Sequence, residues 1–288
     1  KYFKLASYLK VQQFDYVIDF RHRINPKMEW LFLNFIYRNL KFIYTIHSSR
    51  LETYLTENNW IAKQILKKTT KIVVVSNFIK VKIESKFGPS SIEVISNSIS
   101  KPTFLNKEKL DFEYIISVGR LVPLKQFDKL IERYSQYNLP KKNIHLLILG
   151  VGDEQAKLEQ KIANLKLESV VHLVGFKQNV LDYILNAKFL VLSSQYEGFP
   201  MTILEALSVG TPVVSFDCES GPNEMIHPNH NGILVENQNF TELTHKMNIF
   251  VEDEILYQNC KNNAITSVAK FQSEVIVNQW LHVLNYGN

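Results

Sequence analysis

From Tyr114 onward the chain alternates short, almost wholly apolar runs with stretches of helical periodicity, and that alternation leaves few folds open. The runs are YIISV, IHLLILG over 144–150, VVHLVG over 170–175, KFLVLSS over 188–194 and TPVVSF over 211–216. Strands apolar on both faces belong in parallel sheets covered by helices on either side. The intervening patterns predict helices over 124–137, 153–165, 178–186, 200–209 and 241–249, with a last amphipathic stretch over 271–285. Before residue 100 the same logic repeats. FDYVIDF (14–20), KFIYTIH (41–47), KIVVVS (71–76) and IEVISN (92–97) read as strands, separated by helical patterns such as 28–39 and 77–87, so a second α/β unit is expected. The polar segment 98–109, which contains Pro102, is the expected linker.

With 288 residues, 45% hydrophobic and 21% charged, the chain can bury the cores of two such units. No run approaches the ~20 apolar residues of a membrane span, and the first ten residues lack the apolar core of a signal peptide; a cytoplasmic protein is expected. The two cysteines, Cys218 and Cys260, have no paired spacing, so neither a disulfide framework nor a cysteine metal site is supported. The net charge of +5 hides an asymmetry: residues 1–108 carry 18 Lys and Arg against 8 Asp and Glu, and the remainder 15 against 20. A basic half suits an anionic membrane surface, a phosphorylated substrate or nucleic acid. No aromatic-basic motif supports nucleic acid.

The most informative segment is SSQYEGFPMTILEALSVGTPVV. A strand stops at Ser193-Ser194, a loop carries Glu197, Gly198 and Phe199, and a helix begins near Pro200. In open α/β sheets ligands bind beyond the carboxyl ends of strands. Pro200 suits a first helical turn, whose free N–H groups and dipole favour phosphate. Glu197 on the loop and Glu205 about one turn into the helix can bracket a polyhydroxylated ligand, although a simple strand–helix corner with Glu197 as a capping charge uses the same residues. In SVGRLVPLKQFDKLIE a second strand ends at Gly119 and delivers Arg120 and Lys125 into a loop. A forked donor and a point charge suit a diphosphate, and equally an ordinary surface at a helix start. Gly150-Val151-Gly152 follows a third strand, but Gly-x-Gly alone is weak and no third glycine completes a dinucleotide fingerprint.

Taken in order, SVGRLVPLKQFDKLI, LLILGVGDE, VHLVGF, EGFPMTILE, ALSVGTPVVS and GPNEMI resemble glycosyltransferase family 4 of the GT-B fold. TIHSS and the run from VVVSNFIKVKIESKFG to IEVISNSI are similar to the family's N-terminal domain. The resemblance implies two Rossmann-like domains with parallel sheets facing a cleft: a partial acceptor-side domain over 1–108, a nucleotide-sugar-binding domain over 109–270, and a helix over 271–288 returning to the first. It implies that Arg120 and Lys125 neutralise the donor diphosphate and Glu197 holds sugar hydroxyls. Gly119, Gly150 and Gly152 would line the donor site, and backbone around Gly198, Phe199, Pro200 and Met201 would face the β-phosphate and sugar. Glu205 would take the ribose, the Gly175-Phe176 loop would lie near the base, and His47 would match a histidine facing the donor sugar.

By the same resemblance the reaction retains anomeric configuration and needs no metal and no cofactor. No Asp-x-Asp occurs in the sequence, in keeping with that chemistry. The partners implied are a nucleotide-sugar, with UDP the commonest base, and a glycan or lipid-linked glycan acceptor of bacterial lipopolysaccharide or capsule synthesis. They would meet at the anionic inner face of the cytoplasmic membrane. The family's opening strand and glycine-rich loop have no counterpart, so the sequence is expected to lack the extreme N-terminus; a nucleotide-sugar-binding paralogue or fragment without turnover is the alternative. Helix 28–39, with Trp30, Phe32, Phe35, Ile36 and Tyr37 beside Lys27, Arg38 and Lys41, is the expected interfacial element.

Overall fold

The computed structural model describes residues 2–21, 25–38, 40–100, 102 and 110–285. It divides into two compact units, one formed by Lys1–Asn97 with Glu274–Asn288, the other by Ser98–Ser273. Most of the expected linker, residues 101 and 103–109, lies outside the described residues. Where the chain is described at this crossing, Ile99 is bridged to Gln272 and its N–H donates to Phe271 O at 2.9 Å.

The first unit holds a parallel sheet, β1 (Val17–Asp19), β2 (Phe42–Ile46), β3 (Lys71–Val74) and β4 (Ile92–Val94), in that spatial order. Ile43, Ile46 and Val74 are fully buried, as two-sided cover by helices requires. Helix Asn77–Phe87 starts at Ser76, whose hydroxyl accepts from Ile79 N–H and satisfies an orphan first-turn donor, and it ends at Gly88. The last helix, Ser273–Asn285, packs Ile276 and Val283 onto Ile43, Val73 and Ile95.

The helix expected over 28–39 differs. An α-helix runs only from Pro26 to Leu31, capped by the Asn25 side chain, and then widens into a π-turn over Phe32–Ile36 closed by Tyr37 N–H donating to Phe32 O at 2.8 Å. The extra residue in that turn shifts the register. It lets Tyr37 Oη donate to the buried Asp19 carboxylate at 3.1 Å and lays the Phe32 ring 3.7 Å beneath the Arg21 guanidinium.

The second unit is a six-stranded parallel sheet of β5 (Tyr114–Val118), β6 (His145–Leu149), β7 (Val171–Gly175), β8 (Leu190–Leu192), β9 (Val213–Asp217) and β10 (Gly232–Glu236). Its spatial order is β10-β9-β8-β5-β6-β7. Ile115, Ile116, Leu146, Leu190, Val213 and Val214 are wholly inaccessible, which explains the uninterrupted apolar runs. The chain leaves β5 toward β6 and leaves β8 toward β9, so strand order reverses between β5 and β8, and the loops that follow these two strands diverge around a crevice.

At the opposite, amino edge of this sheet His145 Nδ1 lies 2.9 Å from His172 Nε2, with the Phe112 ring stacked on His145 at 3.9 Å. Burial pushes both imidazoles below the usual histidine range, and for His145 the neighbouring His172 adds to it. Neutral rings can share the proton between them; two imidazolium rings cannot. A folded pKa below the unfolded value of about 6.5 means that the unfolded chain binds more protons as the pH falls. The second unit should therefore hold full stability above about pH 6.5 and lose it as the pH drops through that value. Melting curves from pH 8 to pH 5 should show this loss in the wild type and a smaller one in His172→Gln.

Candidate active site

The crevice is lined by two loops that the sequence places side by side. After β5 the chain passes Gly119 and Arg120, makes a 3-10 turn over Pro123–Lys125, and turns through Gln126 in the left-handed region (φ 53°) into helix Phe127–Ser135. After β8 it passes Ser193 to Pro200 and enters helix Met201–Ser208. The loops are stitched together. Ser193 Oγ donates to Lys125 O at 2.8 Å and Gln195 N–H to Leu124 O at 2.9 Å. Lys125 Nζ pairs with Glu197 Oε1 at 2.7 Å, with side chains only 17% and 13% exposed. From the far side Glu197 N–H donates to Glu219 O at 3.0 Å, and Ser220 Oγ donates to Gly198 O.

A third loop closes on the first. Leu121 N–H donates to Val151 O and Glu154 N–H to Leu121 O, both at 3.0 Å, while Gly150 N–H donates to Gly175 O at 2.9 Å. The two glycines of Gly-x-Gly have a steric reason. Gly150 sits at φ 140°, where a Cβ would stand 1.8 Å from Gly119 O, and a Cβ on Gly152 would stand 2.3 Å from Leu121 O. These residues let two backbones meet at the sheet edge.

Of the charged residues expected here, Lys125 and Glu197 neutralise one another, while Arg120 is exposed and its guanidinium makes no ion pair or hydrogen bond with other described residues. Glu205, the fifth residue of its helix, is half-buried; its carboxylate has no hydrogen-bond or ionic partner among the described residues, and burial raises its pKa. The helix that carries it starts at Pro200 with no side-chain cap, so its first N–H groups remain directed toward the crevice. Ser194 Oγ, just after β8, and Thr202 Oγ1, in the first turn of this helix, are buried without a hydrogen-bond partner among the described residues. Buried hydroxyls are normally satisfied, and orphans in the segment after β8 and in the first turn of the helix that follows it are what a ligand's polar atoms would complete.

Ser194 and Thr202 are additions that motif reasoning missed, while Cys218 is a buried packing residue. Burial, with the Glu197 carboxylate nearby, pushes the Cys218 thiol up to about 12, so it stays protonated and inert. The phenyl ring of Phe199 is 7% exposed and meets Phe271 edge-on at 5.7 Å, which leaves only its backbone for a ligand. Phe176, just past Gly175 at the end of β7, is 70% exposed. Met201 is the first residue of the helix and half-buried. In the first unit, His47 follows the last residue of β2 and lies with its ring 5.5 Å from Phe20 and 6.3 Å from Tyr54.

The family described as "Glycosyl transferases group 1" matches residues 100–267, more than half of the chain and all three stitched loops. The chain belongs to the group 1 glycosyl transferases. Among curated relatives, it is 29% identical over 225 residues to the amylovoran biosynthesis glycosyltransferase AmsD of Erwinia amylovora, covering 75% of this chain and 62% of that protein. It is 31% identical over 201 residues to the N-acetylgalactosamine-N,N'-diacetylbacillosaminyl-diphospho-undecaprenol 4-alpha-N-acetylgalactosaminyltransferase of Campylobacter jejuni, covering 68% and 54%. The fold matches that of Anabaena HepE in complex with UDP, with a TM-score of 0.84 at 20% identity over 99% of this chain and 82% of that one. The two α/β units thus have the GT-B fold, and the chain spans about half to three-fifths of the length of the curated relatives named here.

Because Gly150 has neither room nor a permitted φ for a side chain, Gly150→Ala should destabilise this family member by about 3 kcal/mol or more. Denaturant unfolding would show it as a lowered midpoint, whereas Gly175→Ala, which meets nothing within 4 Å, should lose less.

Proposed function

We propose that this protein transfers a sugar, with retention of anomeric configuration and without a metal, from a UDP-sugar to a lipid-linked glycan acceptor at the cytoplasmic face of a bacterial inner membrane. The observation that carries the reading is the convergence, at the reversal of strand order, of Arg120, the Lys125–Glu197 pair, an uncapped helix start and the unpartnered Glu205 carboxylate. Cations and helix N–H groups suit a diphosphate; carboxylates suit sugar and ribose hydroxyls.

In this mechanism the acceptor hydroxyl oxygen bonds to the anomeric carbon on the face from which the diphosphate leaves, the carbon–oxygen bond to the phosphate breaks, and a departing phosphate oxygen takes the hydroxyl proton. Negative charge accumulates on the β-phosphate as that bond lengthens. Fixed donors placed there stabilise it more in the transition state than in the ground state. Arg120 and Lys125 supply the cations, and the backbone of Gly198, Phe199 and Met201 lies at the helix start that receives the phosphate. Glu197, released from Lys125, turns to the sugar hydroxyls, and Glu205 accepts from the ribose. Gly119, Gly150 and Gly152 hold the donor loops, and Phe176 is assigned to the base. His47, at the carboxyl edge of the smaller sheet, is assigned to the donor sugar. The acceptor reading draws on the diphospho-undecaprenol substrate named for the Campylobacter relative and on the basic composition of residues 1–108. The UDP reading draws on the ligand of the Anabaena structure.

Arg120→Ala removes an exposed group with no partner among the described residues, so it should leave the melting temperature unchanged while lowering transfer from a UDP-sugar by roughly 2–4 kcal/mol of transition-state stabilisation. Lys125→Ala should lower transfer by a similar amount and also lower stability, because Glu197 is left buried and unpaired. Undiminished turnover in Arg120→Ala, measured beside the wild type, would overturn the diphosphate assignment.

Metal independence has its own measurement: sugar transfer in the presence of excess EDTA should equal transfer without it. Abolition by EDTA with rescue by manganese would replace the fixed-cation mechanism with a metal-assisted one.

A further inference from the structure

The first unit carries a second concave site, at the edge of its sheet opposite His47. It measures about 600 Å³ and is lined by Trp30, Phe35, Arg38, Leu40, Phe42 and Lys68 among others, with no carboxylate among the described residues. Phe42 opens β2 and Lys68 ends the helix Asn59–Lys68 that leads into β3, which places the pocket at the amino edge. Around it the usual burial rule is inverted. Glu29 is 6% exposed, its carboxylate 3.4 Å from the Arg21 guanidinium, while the next residue, Trp30, is 40% exposed and Phe35 is 59% exposed. The π-turn holds the Trp30 and Phe35 rings together at 5.7 Å, edge to face. Lys68 Nζ is fixed by donating to Asn34 Oδ1 at 2.6 Å, and Arg38 is exposed with no hydrogen-bond or ionic partner among the described residues.

We infer that this pocket seats the phosphate headgroup of an anionic phospholipid in a bilayer, with Arg38 and Lys68 on the phosphate and Trp30 and Phe35 at the depth of the headgroup–acyl boundary. Four features together select that occupant. Two cations without a carboxylate accept an anion. An apolar floor of Leu40 and Phe42 beneath them suits an amphiphile rather than a free ion. Exposed aromatic rings beside basic side chains are the composition of membrane-interface elements. Outward aromatics next to an inward glutamate are the reverse of what packing in water selects. The inference rests on the proposed work at an anionic membrane and names the surface that makes the contact.

The test uses the chain as it stands with vesicles of phosphatidylcholine alone or with 30% phosphatidylglycerol, at low and at 0.1 M salt, and reads co-sedimentation rather than turnover. Arg38→Gln/Lys68→Gln should weaken binding to the anionic vesicles by about thirtyfold at low salt, as expected for two basic side chains near a charged surface. The charge-matched pair Lys80→Gln/Lys86→Gln, on helix Asn77–Phe87, should weaken it by less than about twofold. Bromine-labelled lipids should quench part of the tryptophan emission, and that part should vanish in Trp30→Phe, a substitution mild enough to keep the fold. Equal losses from both charge pairs, or quenching that survives Trp30→Phe, would overturn the pocket while leaving the membrane reading in place. Absence of binding to anionic vesicles by the wild type would overturn both, and a normal rate of sugar transfer in the same preparation would show that the transferase reading is untouched.

Discussion

In a parallel sheet whose strands follow one another in a single direction, each connection packs over its neighbour and closes the carboxyl edge. Between β5 and β8 the order reverses, so the helices that follow lie on opposite faces and the two loops part. The space opened there is then narrowed by hydrogen bonds from Ser193 and Gln195 to Lys125 and Leu124, and from Glu154 to Leu121. The consequence is a rigid rim of backbone, held by β5, β6 and β8, on which side chains of opposite sign can face each other across a short gap.

The electrostatics of that rim follow from its partial burial. An ion pair removed from water repays its desolvation only when well placed, and Lys125 Nζ to Glu197 Oε1 at 2.7 Å is close enough to do so. The pair leaves neither partner as an isolated charge in a partly buried loop. Glu205 has no such partner, and the rise in its pKa measures the unfavourable solvation that remains. A ligand bearing hydroxyl donors relieves that deficit, and a ligand bearing phosphates competes with Glu197 for Lys125. Both effects favour a ligand that carries hydroxyls and phosphates together, as the proposed donor does, and both come from placing carboxylates and cations on backbone that cannot retreat.

Much of this was legible in the sequence because buried parallel strands leave continuous apolar runs: β5, β6, β7 and β8 each fall within a run named from residues alone, and β9 overruns its own by one residue, Asp217. Strand β10 was missed, since GILVE stands between the polar NHN and NQN and has only three consecutive apolar residues. Helix Glu254–Ser267 was missed because it buries only Tyr257, Cys260 and Ala264, a stripe too narrow and too mixed in residue type to announce a periodicity. At the site, charged residues in the loops after β5 and β8 could be read from their position beyond strand ends. Ser194 and Thr202 could not, because a hydroxyl at a strand end or in a first helical turn is ordinary until its lack of a partner is seen. The π-turn at Phe32 leaves no signal in composition; it is imposed by the tertiary contacts of Phe32 and Tyr37 with Arg21 and Asp19.

Those contacts also change what the basic composition of the first unit means. Arg21 lies between the buried carboxylates of Asp19 and Glu29, at 2.8 and 3.4 Å, with Asp19 the leading cause that holds its guanidinium protonated against burial. Two of the acidic groups available to offset the excess of lysine and arginine are therefore spent inside the fold. Net charge counted along the chain understates the positive character of the surface, since a buried acid with its own arginine projects little field into solvent. The same cluster fixes the helix Pro26–Leu31 with Glu29 inward, and at 100° per residue that orientation commits the next side chain, Trp30, to a different face. One half-buried guanidinium thereby determines which side of this segment is acidic and hidden and which is aromatic and exposed.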